Sequence, residues 1–449
     1  MAESSVKASK TFAAIIAVIT LLIGLGIGVV AAPAVFPPPE AVTVTETVPT
    51  TVPTTVTVAT TVTAPAPGLT GEVPIGALLP LSGDLATFGE NSKTAAEMAV
   101  YEANAFLEKI GAAWRLKLIV EDTATSPDVC LEKLKSLAAK GVKIVVGPQS
   151  SAEVRNIKGY ADANKILIIS QSSTAPGLAI PGDFVYRFCP TDFVQGPAIA
   201  RLMFDDGISY VIPVWRGDAW GDGLKEATEK RFVELGGVFD EGVRYDPEAK
   251  EFSAEVKVLA DKVRAAVEAY GADKVGVFYI AFEEVTTFFT QARDYDVLWQ
   301  VKWYGTDGTA LSGALIEDTA AAEFAAAVKF VSTIFAPTKS DKFEKVRSYI
   351  KEKLGRDPDS YTYATYDIVW AVTYSLLAVN SYDPEAVKAI LPDVTASLFG
   401  ASGWVVLDEA GDRAFADYDL WAVVEEDGTF KWEHVGAYRY ATDSIEWFI

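Results

Sequence analysis

Along most of this chain, short runs that are apolar on both faces alternate with stretches of helical period, and few architectures absorb that pattern. Pro74-Ile75-Gly76-Ala77-Leu78-Leu79 is one such run, followed by apolar residues at helical spacing from Ser92 to Leu107. Leu116 to Val120, Val142 to Val146 and Ile166 to Ile169 continue it, with helical segments Asp128 to Ala139 and Ala152 to Ala163 between them. Tyr210 to Val214, Val275 to Tyr279 and Phe330 to Phe335 repeat the theme. A strand buried on both faces belongs to a parallel sheet whose crossovers are helices. Roughly 375 residues of this pattern are too many for one sheet and suit two. The expected class is therefore α/β, with two parallel-sheet lobes. Ligands of such sheets sit beyond the carboxyl ends of the strands.

Three strand-end loops are rich in hydroxyls and glycine: Pro80-Leu81-Ser82-Gly83, Gly147-Pro148-Gln149-Ser150-Ser151 and Ser170-Gln171-Ser172-Ser173-Thr174-Ala175-Pro176. Hydroxyls and free N–H groups at a helix N-terminus suit an anion such as a carboxylate. Each serine taken singly is equally suited to capping the following helix. Three such loops at three strand ends point to a shared cleft.

The N-terminus has a different character. Residues 11–32 form an uncharged apolar stretch of about 22 residues, long enough to span a bilayer core. Lys7 and Lys10 precede it, so residues 1–10 are expected in the cytoplasm and everything after Pro33 outside. Its length favours a retained anchor over a cleaved signal segment. Residues 33–72 follow as a Thr/Pro-rich linker, including TVTETVPTTVPTTVTVATTVTAPAP, which reads as a semi-rigid extended spacer. Its threonines are candidate O-glycosylation sites.

Composition removes several functions. The net charge is −22, and only Glu3, Lys7, Lys10, Glu40 and Glu46 are charged before Gly71, so the body is strongly acidic and repels nucleic acid. There is one histidine, His434, and there are two cysteines, Cys130 and Cys189, without a C-x-x-C; no zinc site, other metal site or cofactor is expected. A Cys130–Cys189 bridge stays open at this level, since spacing does not fix Cα separation. No nucleophile elbow, Walker loop or catalytic cluster appears, so no enzyme is expected and no catalytic residue is assigned.

The run GPQSSAEVRNIKGYADANKILIISQSSTAP, from Gly147 to Pro176, resembles the leucine/isoleucine/valine-binding proteins of ABC uptake systems, which have the type I periplasmic-binding fold. Further stretches agree: LLPLSGDLATFGENSKTAAEMAV, YRFCPTDFVQGPAIA, DAWGDGLKEA, FTQAR, YGTDG, YDIVWAV and GWVVLDEAGD. The resemblance covers nearly everything after Val73. It implies two Rossmann-like lobes joined by a three-strand hinge, lobe 1 being 73–191 and 332–399 and lobe 2 being 192–331 and 400–449. It implies capture of an amino acid, by its carboxylate and ammonium, for an ABC permease and its ATPase, with the body extracytoplasmic.

Site residues follow from the same resemblance. Ser151 stands at the carboxylate-binding serine, Ser172 where a backbone carbonyl meets the ammonium, and Thr174 at a head-group threonine. Asp307 stands at the acidic partner of the ammonium, Trp220 replaces a tyrosine, Phe282 falls near another ligand-lining tyrosine, and Phe88 matches an aromatic at the cleft mouth. Phe88, Trp220 and Phe282 together suggest an apolar, branched-chain or similar side chain. Asp307-Gly308 is also an ordinary turn pair. A sensor ectodomain acting through a partner, a structural surface protein, or uptake of an amide, peptide or aromatic acid are the competing readings.

Overall fold

Two helix-covered sheets realise the alternation. The computed structural model describes residues 68–448; the apolar stretch 11–32 and the spacer up to residue 67 lie outside the described residues. No helix among the described residues is long and apolar enough to cross a membrane. The first sheet is built from β1 (Gly71–Leu79), β2 (Trp114–Asp122), β3 (Ile144–Val146), β4 (Leu167–Ser170) and β5 (Val185–Pro190), in the order β5-β4-β3-β1-β2, all parallel. The second takes β6 (Tyr210–Arg216), β7 (Val238–Phe239), β8 (Val243–Tyr245), β9 (Val275–Ile280), β10 (Lys302–Gly305) and β11 (Val331–Phe335). Its parallel part runs β7-β6-β9-β10-β11, with β8 also pairing β6.

The same strand order occurs twice. In each sheet the order reverses once, between β1 and β3 and between β6 and β9. At such a reversal the helices leave to opposite faces, and a crevice opens at the carboxyl ends of the strands. The interior strands earn their places by burial: β3, β4, β5 and β9 are buried at every residue.

The chain passes between the sheets three times. The first passage follows β5 and leads into the helix Asp192–Asp205, which packs on the helix Ala219–Glu234. The other two differ from the expected limits at 331/332 and 399/400. β11 stays in the second sheet through Phe335, and β12 (Asp412–Arg413) pairs with β5 in the first. The physical reason is Asp367, buried on the helix Ser360–Val379. Its carboxylate accepts from the backbone N–H of Ala401 (2.5 Å) and Ser402 (2.8 Å), tying the segment after Gly400 to the first unit. Beyond β12, β13 (Tyr418–Glu426), β14 (Thr429–Arg439) and β15 (Ser444–Trp447) extend the second sheet antiparallel from β11. Asp427 and Gly428, both at positive φ, close the β13–β14 hairpin as a two-residue primed turn requires.

Cys130 and Cys189 are both buried free thiols. Burial raises the pKa of both, Cys130 well above the usual thiol range, so neither has the exposed, low-pKa character of a reactive thiol.

Candidate ligand-binding site

Loops from both reversals face a common, tightly walled pocket. Leu85, Phe88, Gln149, Ser150, Ser151, Ser172 and Tyr361 line it from the first unit, and Trp220, Phe282, Asp307 and Gly308 from the second. Six of the seven expected residues therefore come together. Thr174 is buried but is not in the lining; its carbonyl accepts from Asp192 N–H at 2.9 Å. Gln149, Tyr361, Leu85, Ser150 and Gly308 were not singled out from sequence.

The two adjacent serines after β3 have separate tasks. Ser150 is the N-cap of the helix Ser151–Asn164. Its Oγ accepts from Glu153 N–H (3.2 Å), while the Glu153 carboxyl receives Ser150 N–H (2.9 Å) and O–H (2.8 Å). This is a capping box, the structural role open to any serine here. Ser151 is left over. Its Oγ accepts from Ser173 Oγ (3.1 Å) and Ala175 N–H (3.1 Å). A hydroxyl has two acceptor sites and one proton, so Ser151 retains its proton for donation at a helix N-terminus. The turn itself demands Gly147: φ is +91°, and a Cβ there would lie 2.1 Å from the Leu78 carbonyl oxygen.

The third hydroxyl loop is held from behind. Ser172 Oγ donates to the Gln149 carbonyl (2.7 Å). Arg187 Nη1 donates to the carbonyls of Ser173 (3.1 Å) and Ala175 (2.8 Å). Arg187 is in turn gripped by Asp412, with Nε to Oδ1 at 2.6 Å and Nη2 to Oδ2 at 2.5 Å, and both residues are buried. The third passage between the sheets thus fixes a wall of the pocket. The first hydroxyl loop contributes no hydroxyl: Ser82 is exposed and donates to Asp122 (2.8 Å), and this region supplies Leu85 and Phe88 instead.

The second unit contributes rings and a charge. Trp220 and Phe282 stack at 4.7 Å between centroids and 13° between planes, and the Arg216 guanidinium lies 3.9 Å over the Phe282 ring. Glu284, its side chain largely buried beside these rings, holds this wall. It accepts from Arg216 Nη1 (2.6 Å), Tyr245 OH (2.9 Å) and Phe282 N–H (3.0 Å). Gly308 has no alternative, because a Cβ would meet Trp220 at 2.6 Å and Phe282 at 2.8 Å.

Asp307 is the charged member of the lining, and it is 4 % exposed. Oδ2 accepts from Tyr361 OH at 2.5 Å, whereas Oδ1 has no hydrogen-bond partner among the described residues. Burial raises its pKa to about 6 against the pull of the Tyr361 bond. Asp192, fully buried nearby with both carboxyl oxygens unpartnered, is pushed well above the carboxylate range by burial and then by the charge of Asp307. At neutral pH Asp307 is thus an ionised carboxylate with one free oxygen.

The units meet over the pocket as well as beside it. Thr87 Oγ1 donates to Glu283 Oε1 (2.6 Å), Glu283 N–H donates to the Asp84 carbonyl (3.1 Å), and Tyr361 bridges to Asp307. Residues from both sheets therefore enclose the cavity.

Residues 91–426 match the model of the receptor family ligand-binding region. The chain is 36 % identical over 394 residues to an uncharacterized protein of Methanocaldococcus jannaschii, covering 84 % of this chain and 91 % of that one. It is 26 % identical over 381 residues to a Leu/Ile/Val-binding protein homolog of Brucella abortus, covering 82 % and 93 %. The crystal structure of a leucine-binding protein from Thermotoga maritima superposes with a TM-score of 0.69 at 21 % identity, covering 83 % of this chain and 98 % of that one. The doubled strand order, the pocket at both reversals and these likenesses agree: the chain belongs to the receptor ligand-binding-region family, among the Leu/Ile/Val-binding proteins of type I periplasmic-binding fold.

Proposed function

We propose that this protein captures a small α-amino acid outside the cytoplasm, closing two lobes over it, and delivers it to the permease of an ABC importer. One observation carries the reading: the pocket offers a spare hydroxyl proton at a helix N-terminus, on Ser151, and a spare carboxylate oxygen, on Asp307. A zwitterion needs a donor at one end and an acceptor at the other. Hydrogen bonds of this charge-assisted kind are worth about 1.5–3 kcal/mol each. A bare carboxylic acid would satisfy Ser151 and leave the Asp307 carboxylate unmatched, which disfavours it.

The same reading assigns movement. Lobe 1 carries Ser151, Ser172 and Phe88 and receives the ligand; lobe 2 brings Trp220, Phe282 and Asp307 over it. The cross-cleft bonds of Thr87 to Glu283 and Tyr361 to Asp307 belong to the closed arrangement. Residues 11–32 retained as a membrane anchor would keep the loaded protein within reach of its permease. A thermal-shift screen of the twenty amino acids tests the reading. The true ligand at 100 times its dissociation constant adds about 2.7 kcal/mol of stability. A screen with no stabilising amino acid would remove the head-group assignment.

A further inference from the structure

Two further polar groups in the pocket wall are unspent after the head group is accounted for. Gln149 is 3 % exposed and lines the pocket. Its Oε1 accepts from Gln171 Nε2 at 2.6 Å and from Ser92 Oγ at 3.5 Å, an arrangement that leaves its Nε2 without a partner among the described residues. Trp220 is 2 % exposed, lines the pocket from the opposite unit, and its Nε1 likewise has no partner. Both are donors, and an indole N–H can only donate. Buried donors left unpaired discriminate strongly against a ligand that offers them nothing.

The chemistry of the missing acceptor is constrained by charge. No lysine or arginine lines the pocket. The adjacent guanidinium, Arg216, is already engaged by Asp218 (2.7 Å) and Glu284 (2.6 Å). A second carboxylate on the ligand would therefore sit beside Asp307 without a cation. From this we infer that the bound amino acid carries a neutral hydrogen-bond acceptor on its side chain, a carboxamide or hydroxyl oxygen, received by Gln149 and Trp220. A planar carboxamide also matches a wall made of flat, stacked rings. The three aromatics that suggested an apolar side chain thus form the walls of the site, and the two unspent N–H groups set its selectivity. This inference rests on the amino-acid reading above.

Isothermal titration of the purified full-length chain with near-isosteric pairs tests it: asparagine against leucine, glutamine against methionine, threonine against valine. In the pair bound most tightly, the polar member is expected to bind at least tenfold more tightly. Gln149→Leu and Trp220→Phe, the latter keeping a ring in the stack, are each expected to narrow that ratio. Thermal unfolding without ligand checks that both variants are folded. A ratio below tenfold, a ratio in favour of the apolar member, or a ratio unchanged in both variants overturns the inference while leaving the amino-acid reading intact. Aspartate binding as tightly as asparagine overturns the neutral part of it. If none of these binds while an apolar amino acid outside the pairs does, the inference is overturned; if none of the twenty amino acids binds, the amino-acid reading itself fails.

Discussion

The two sides of the pocket are built on one strand order, yet they do different chemistry. The first sheet's loops present short hydroxyl and amide groups locked into one another: Ser150 to Glu153, Ser173 to Ser151, Ser172 to Gln149. The second sheet's loops present two stacked rings and a carboxylate. The difference teaches what a repeated topology supplies. It fixes where strands end and where a crevice opens, and it leaves the content of each wall to a few loop residues. A wall of neutral donors facing a wall with one anion is polarised along the axis on which a zwitterion lies.

That contrast can be broken from the largest effect downward. Asp412→Ala should cost about 3–5 kcal/mol of stability, because it leaves the Arg187 guanidinium buried and uncompensated; denaturant unfolding measures this. The same change should slacken the Ser172–Ala175 wall and weaken ligand binding. Ser151→Ala should weaken amino-acid binding by about 1.5–3 kcal/mol, the worth of a hydrogen bond to a charged group, and should also cost about 1–3 kcal/mol of stability, because the Ser173 hydroxyl and Ala175 N–H lose their buried acceptor. Calorimetric titration separates the two.

Acid should act on the other wall through Asp307. The folded pKa of Asp307 lies above the ordinary carboxylate value, at about 6, so the group takes up a proton as pH falls through that point and loses the charge that faces the ammonium. Affinity should be flat from about pH 7 to 8 and fall by about tenfold per unit below 6, since one proton must leave for each ligand bound. A binding curve without a break near 6 would show that the carboxylate takes no part. The smallest effect is expected at Ser82→Ala. Its hydroxyl is exposed and bonded away to Asp122, so stability and affinity should both change by less than about 0.5 kcal/mol.

Much of this was legible in sequence where local rules dominate. Strands apolar on both faces gave away parallel sheets, and the hydroxyl-rich turns fell at their carboxyl ends as the sheets require. Local rules do not divide the labour between Ser150 and Ser151, because one residue's spacing decides which hydroxyl caps the helix and which is spare; the family resemblance alone picks out Ser151. Tyr361 sits among Tyr363 and Tyr366 on one helix, and of the three it is the one whose hydroxyl meets Asp307, 54 residues away. The Arg187–Asp412 pair spans 225 residues, and the hold of Asp367 on Ala401 and Ser402 moved the last passage between sheets. Such long-range partners leave no local pattern to read.

The most direct test removes the ammonium from one side and its partner from the other. Titrating the best amino acid and the same acid lacking its α-amino group into the native chain and into Asp307→Asn gives a four-cornered cycle. The account predicts that Asp307→Asn weakens the amino acid by about 1.5–3 kcal/mol, while its effect on the deaminated acid is near zero or favourable. Equal losses for both ligands would contradict it, and would make Asp307 a structural turn residue.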